Sequence, residues 1–211
     1  MTTSTTVQDL IHAVEKADSA QKLTLAVVNL AALRDSAAIP TLIDVLRYNN
    51  PGAAVAAVEG LIALGKVAVP PLLEHLDGYN YGARAWATRA LAGIGDPRGL
   101  DLLLDAAVND FSFSVRRGAA RGLGRIIWSD LEESRIKEAQ EAVFRALEGL
   151  SRTDPEWVVR YASIVGLQGL AESVVEFRGR AIELLGQLRE TESEIVIVAR
   201  IDRSLEQLTT A

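Results

Sequence analysis

Apolar positions along this chain recur at helical spacing, and the pattern itself repeats. Four segments carry a small residue, a second small residue four positions on, and a leucine four after that. They are Ala53-Ala57-Leu61, Ala83-Ala87-Leu91, Val115-Ala119-Leu123 and Val159-Ser163-Leu167. Such an i, i+4, i+8 series falls on one face of a helix. The segments start 30, 32 and 44 residues apart. Each follows another amphipathic run: AIPTLIDVL (38–46), AVPPLLEHL (68–76), GLDLLLDAA (99–107) and AVFRALEGL (142–150). Further helix pairs are expected at 7–16 with 19–34 and at 174–189 with 194–208. One pair cannot bury a small-residue face alone, so the pairs must stack. The expected fold is all-α, an α-solenoid of about five to six helix pairs.

The polar punctuation agrees with this. Asp96 can cap a helix with Pro97 at its first position, and Gly95 can end the helix before it. Gly65 repeats the Gly95 role, and Asn50-Pro51 and Asp154-Pro155 read as helix starts. The longest spacing reflects an insertion at Trp128–Lys137, whose charges predict an exposed connection. Glu190, Glu192 and Glu194 predict another exposed turn, and Gly118, Gly122 and Gly124 predict close helix packing. The layout is one repeat domain over 1–211. Capping pairs lie at about 7–34 and 174–208 around central repeats at 36–172.

Composition narrows the chemistry. The chain has 211 residues, 49% of them hydrophobic, and a net charge of −6. That charge argues against general affinity for nucleic acid or anionic membranes. With no cysteine and two histidines, the chain has no disulfide, no thiolate nucleophile and no zinc motif. The N-terminal MTTSTTVQDL lacks the pattern of a signal peptide, and no apolar run suggests a membrane span, so a cytoplasmic protein is expected. Charge is uneven. Residues 82–127 hold seven Arg and four Asp with no Lys or Glu, a local balance of +3.

The helix pairs with an Asp-Pro-Arg turn at 96–98 resemble the HEAT-like repeats of phycobilisome lyases. YNNPGAAVAAVEGL (48–61), GYNYGARAWATRALAGIGDPRGLDLLL (78–104), DFSFSVRRGAARGLG (110–124) and VRYASIVGLQGL (159–170) are similar to the F-type, or beta, subunits of heterodimeric E/F phycocyanobilin lyases. The similarity runs over roughly residues 7–170. It implies an enzyme active as a heterodimer with an E-type lyase subunit. That enzyme binds phycocyanobilin, an open-chain tetrapyrrole, and attaches it by a thioether bond to a cysteine of the phycocyanin alpha subunit. Detachment or transfer of the bilin is implied as well. The bilin is a substrate, and neither a metal nor a separate cofactor is implied. A related isomerising family uses a motif with cysteine and histidine; the absence of cysteine removes that activity from the expectation. Two other readings of the same fold stay open, a bilin-binding chaperone or detaching protein and a non-enzymatic adaptor.

The repeats supply candidate residues in register. Tyr81, Phe113 and Trp157 each stand two positions before the first small residue of their segment; Tyr79 and Phe111 stand four before, and Tyr48 five before. With Asn49, Asn50 and Asn80 they read either as a flat-ring surface for the bilin or as plugs of the helix turns. Arg84, Arg116 and Arg160 each follow the first small residue, and Arg117 lies beside Arg116. Arginine forks suit the carboxylates of a bilin, or equally an Arg–Asp ladder between turns. The candidate bilin-binding set is Tyr48, Asn49, Asn50, Tyr79, Asn80, Tyr81, Arg84, Phe113, Arg116, Arg117 and Trp157. Asp96, Asp110 and Tyr81 are candidate proton donors, with the two aspartates equally readable as cap or turn residues.

Overall fold

The computed structural model describes residues 6–74 and 81–210, and divides into two units, Met1–Ile94 and Gly95–Ala211. The first contains α1 (Val7–Glu15), α2 (Ala20–Ala32), α3 (Ile39–Val45), α4 (Pro51–Leu64), α5 (Val69–Glu74) and α6 (Tyr81–Ile94). The second contains α7 (Leu100–Asn109), α8 (Phe113–Leu123), α9 (Glu133–Thr153), α10 (Trp157–Ser173), α11 (Arg178–Thr191) and α12 (Ile195–Thr210). No strand occurs among the described residues.

Each even-numbered helix is the second member of a pair. In the first unit α2 packs on α4 and α4 on α6; in the second α8 packs on α10 and α10 on α12. The small-residue series lies in these contacts. Ala53, Ala57 and Leu61 on α4, Ala87 and Leu91 on α6, Val115, Ala119 and Leu123 on α8, and Val159, Ser163 and Leu167 on α10 are all buried. Buried Ser163 donates its hydroxyl to the Val159 carbonyl at 2.9 Å, so the series tolerates it. The closest approach joins α8 to α10. A Cβ on Gly124 would collide with the Gly166 backbone, and one on Gly169 with the Gly124 backbone.

The turns follow local chemistry. Thr6 and Asp9 form a capping box on α1, and Asn50 caps α4 with Pro51 at its first position. Gly65 and Gly95 both adopt φ 71°, the left-handed stop expected of them, and Arg34 occupies the corresponding place after α2 at φ 51°. Asp96 caps the 3-10 turn Pro97–Gly99 that leads into α7.

Three expectations change. Trp128–Lys137 is no long exposed loop. Trp128 is buried in a 3-10 turn, and α9 begins at Glu133 and extends for 21 residues. Asp154-Pro155 does not itself open α10, which starts at Trp157; Asp154 closes α9 and accepts the Glu156 amide at 2.9 Å. Glu192 is turned inward against Arg160. Pro51–Glu74, 24 residues long with a mean hydropathy of 1.7 over an 18-residue window, meets a membrane span by length and composition alone. Gly65 divides it into α4 and α5, and the buried face of α4 packs against α2 and α6.

Candidate functional site

Three of the second helices open with an aromatic residue, whereas α4 opens with Pro51. Tyr81, Phe113 and Trp157 are the first residues of α6, α8 and α10. Phe113 is 47% exposed and Trp157 45%, with Phe111 more exposed still, so these rings do not plug the turns. Ile195, the first residue of α12, continues the series as an exposed aliphatic side chain. Tyr79 and Asn80 lie outside the described residues, as does the Tyr81 side chain.

The fourth residue of the same helices is arginine: Arg84, Arg116 and Arg160. In the second unit its task is well defined. The Arg116 guanidinium donates to both Asp154 oxygens, at 2.8 and 3.1 Å, and to the Asp110 and Phe111 carbonyls at 3.0 and 3.1 Å. Arg160 repeats this one pair later, donating to Glu192 and to the Asp154 and Pro155 carbonyls. Each arginine thus closes its own turn and reaches forward to the acid of the next. Arg116 is 12% exposed and Asp154 4%, so the pair is largely withdrawn from water. Hydrogen bonding to Asp154 raises Arg116 above the usual arginine value despite burial. Burial works against the charge of Glu192, but Arg160 and the Glu194 and Ser193 amides outweigh it and hold the carboxyl below its ordinary value.

Arg116 is therefore committed to the fold, and a bilin carboxylate would have to displace Asp154 to reach it. Arg84 holds the same position on α6 and is partly buried, whereas Arg117 is exposed. Asn50 is committed too: its side chain accepts the Ala53 amide at 3.1 Å and donates to the Ala20 carbonyl at 3.0 Å. Its neighbours Tyr48 and Asn49 stay exposed and line a groove with Glu15, Ala20 and Leu23 in the first unit.

The acid candidates separate. Both Asp96 oxygens accept from Arg98, at 2.9 and 2.7 Å, and the Asp96 side chain is 4% exposed. Asp110 accepts the Ser112 amide at 2.8 Å and lines a groove of about 640 Å³ with Arg116, Arg145, Thr153 and Asp154. Among the described residues no group of three His, Cys, Asp or Glu is placed to hold a metal ion.

Comparison with known proteins is consistent with this geometry. The profile of HEAT repeats matches residues 69–168. The phycocyanin alpha phycocyanobilin lyase CpcF of Synechocystis sp. is 52% identical, covering 96% of this chain and 94% of that protein. The chain belongs to the phycocyanobilin lyase beta-subunit family. A family member from Nostoc sp., named phycocyanobilin lyase subunit beta, is 49% identical over 92% of this chain and 96% of its own length. A solved structure of the complex of CpcE and CpcF of phycocyanin lyase from Nostoc sp. contains a matching chain. It has a TM-score of 0.76 and 48% identity, covering 81% of this chain and 99% of that one. The fold of this phycocyanobilin lyase beta-subunit family member is an α-solenoid of HEAT-like helix pairs, as its sequence periodicity predicts.

Two features of this family member escaped the sequence reading. Ile195 as a further exposed rung beyond Phe113 and Trp157 was legible from the register, since Glu192 stands three positions before it as Asp154 does before Trp157. A groove holding Arg121, Arg125 and Arg200 was not, because Arg200 comes from another helix pair and only packing brings it there.

Proposed function

We infer that this chain is the beta, or F-type, subunit of a phycocyanobilin lyase. Together with an E-type partner it attaches phycocyanobilin to a cysteine of the phycocyanin alpha subunit. The observation that carries this reading is near-complete similarity, at 52% identity, to a protein named for that reaction. The CpcE–CpcF complex among its structural relatives supports the heterodimer. Detachment and transfer of the bilin belong to the same reading, and the site of action is the cytoplasm.

The reaction adds a thiol across the ethylidene double bond of the bilin. Sulfur bonds to one carbon, a proton is taken up by the conjugated system, and nothing leaves. The nucleophile comes from the acceptor, because this chain has no cysteine. The bilin is the substrate and no separate cofactor is called for. The lyase serves by holding one bilin conformation and presenting one face to the thiol. Such orientation contributes roughly 7–11 kcal/mol in well-aligned cases. Exposed Phe113 and Trp157 offer flat apolar surfaces in the second unit, and Tyr48 and Asn49 offer a polar-aromatic one in the first. Asp110, which lines an open groove, suits a proton-handling role better than Asp96, whose two oxygens are held by Arg98.

Titration of phycocyanobilin into the purified chain, with and without its E-type partner, tests the reading. The expected result is a shift of the bilin absorbance bands in the heterodimer. No change in either sample would overturn it in favour of an adaptor that binds protein alone.

A further inference from the structure

The aromatic edge lies at the N-terminal ends of α8 and α10. Toward their C-terminal ends the second unit forms another groove, of about 460 Å³, lined by Arg121, Arg125, Gln168, Glu172 and Arg200 over the glycines at 124 and 169. The close approach of α8 and α10 leaves bare backbone there, and the long polar side chains stand around it.

This groove departs from the charge economy of the rest of the unit. Arg98, Arg116, Arg152, Arg160, Arg180 and Arg189 each pair with a carboxylate. In the groove three guanidiniums face a single carboxylate, Glu172, which already accepts from the Gln168 amide. Gln168 turns its carbonyl oxygen to a terminal nitrogen of Arg200. The Arg200 Nε is buried without a hydrogen-bond partner. Partial desolvation against the groove wall, and beside it Arg121, lowers Arg125 from its usual value although much of the residue stays exposed. Burial also lowers Arg200, against the opposing pull of Tyr161. A buried guanidinium nitrogen without an acceptor costs free energy, and the excess positive charge lining the groove is left for an arriving anion to balance. The carbonyl end of α8 reaches Leu123 beside the groove and opposes any anion there, a multiply charged phosphate more than a singly charged carboxylate. A carboxylate has the fork geometry and the single charge that fit.

We propose that the groove formed by Arg121, Arg125, Arg200 and Gln168 is a carboxylate-binding subsite that takes a propionate side chain of the open-chain tetrapyrrole. The proposal rests on the bilin-lyase reading. It moves carboxylate recognition from the turn arginine Arg116 to the opposite ends of the same helices. An acidic side chain of a protein partner presents the same chemistry, so the test must separate the two sources.

The test compares the wild-type heterodimer with heterodimers carrying Arg125→Gln, Arg200→Gln and both substitutions. Each is titrated with phycocyanobilin and with its dimethyl ester, in which both propionates are blocked. Arg125 is exposed and makes no described side-chain bond, so its variant keeps the test readable if Arg200→Gln fails to fold. The expected result is binding of the free acid weakened about tenfold or more in the double variant, with the ester bound equally by all forms. Equal binding of the free acid by wild type and variants overturns the subsite and leaves the lyase reading intact. Unchanged bilin binding with weakened assembly onto the E-type partner or the phycocyanin alpha subunit also overturns it, assigning the groove to a protein carboxylate. Failure of the wild-type heterodimer to bind any bilin sinks the lyase reading itself, and the subsite with it.

Discussion

Replacing Arg116 with alanine separates a structural arginine from a substrate anchor. The side chain makes four hydrogen bonds, two to Asp154 and two to carbonyls of its own turn. Its removal leaves the Asp154 carboxylate, 4% exposed, with the Glu156 amide as its remaining described donor. Breaking a buried ion pair from one side costs about 3–5 kcal/mol, and the residual exposure of Arg116 places this case near the lower end. For a chain of this size about 3 kcal/mol corresponds to a fall in Tm of roughly 6–12 °C. Asp154→Ala should cost a similar amount. The double variant should cost less than the sum by about 1–3 kcal/mol, because each single change leaves the other group uncompensated. Differential scanning calorimetry of the four proteins gives the cycle, and ligation is measured at a temperature where all are folded. The Arg116→Ala heterodimer should then keep most of its ligation rate. An unchanged Tm with activity abolished would refute this reasoning and return Arg116 to the bilin.

Other substitutions probe neighbouring parts of the account. Gly124→Ala forces a Cβ into the Gly166 backbone, which cannot rotate away, and should lower Tm by roughly 6 °C or more or prevent folding, at a cost of about 3 kcal/mol or more; a melt within about 2 °C of wild type would contradict the packing. Phe113→Ser with Trp157→Ser removes two exposed rings and should change stability by less than about 1 kcal/mol while slowing ligation, whereas proportional losses in melt and activity would make the rings structural. Glu192 titrates below its ordinary value in the folded chain, so its contribution is present above the unfolded value of about 4.3 and lost as pH falls through the lower folded value; Glu192→Gln should flatten that acid limb of a Tm-against-pH curve, and an unchanged limb would remove Glu192 from the ladder.

The parts of this protein readable from sequence are those set by local chemistry. Helix periodicity placed Ala53, Val115 and Val159 in the core, and left-handed stops at Gly65 and Gly95 followed from what glycine alone does without strain. The register of aromatic and arginine positions was legible as well, because each is fixed to the start of a helix. The partners of those arginines were not. Asp154 and Glu192 stand 38 and 32 residues beyond Arg116 and Arg160, so their pairing depends on how one turn stacks on the next. The start of α9 was misread for a related reason. Its first turns, Glu133–Lys137, are largely exposed and carry no apolar stripe, so charge pattern alone resembles a loop. The Arg125–Arg200 groove is assembled by tertiary packing, and nothing within either segment announces it.

The central claim, that this chain is half of a bilin lyase, is tested most directly by reconstituting ligation. The purified chain, its E-type partner, the apo phycocyanin alpha subunit and phycocyanobilin are combined, and the acceptor is followed by fluorescence and intact mass. The account predicts a fluorescent alpha subunit heavier by one bilin. It should form faster with both subunits than with either alone or with neither. Adduct formation no faster than the spontaneous reaction, with both subunits folded and bound to each other, would contradict it.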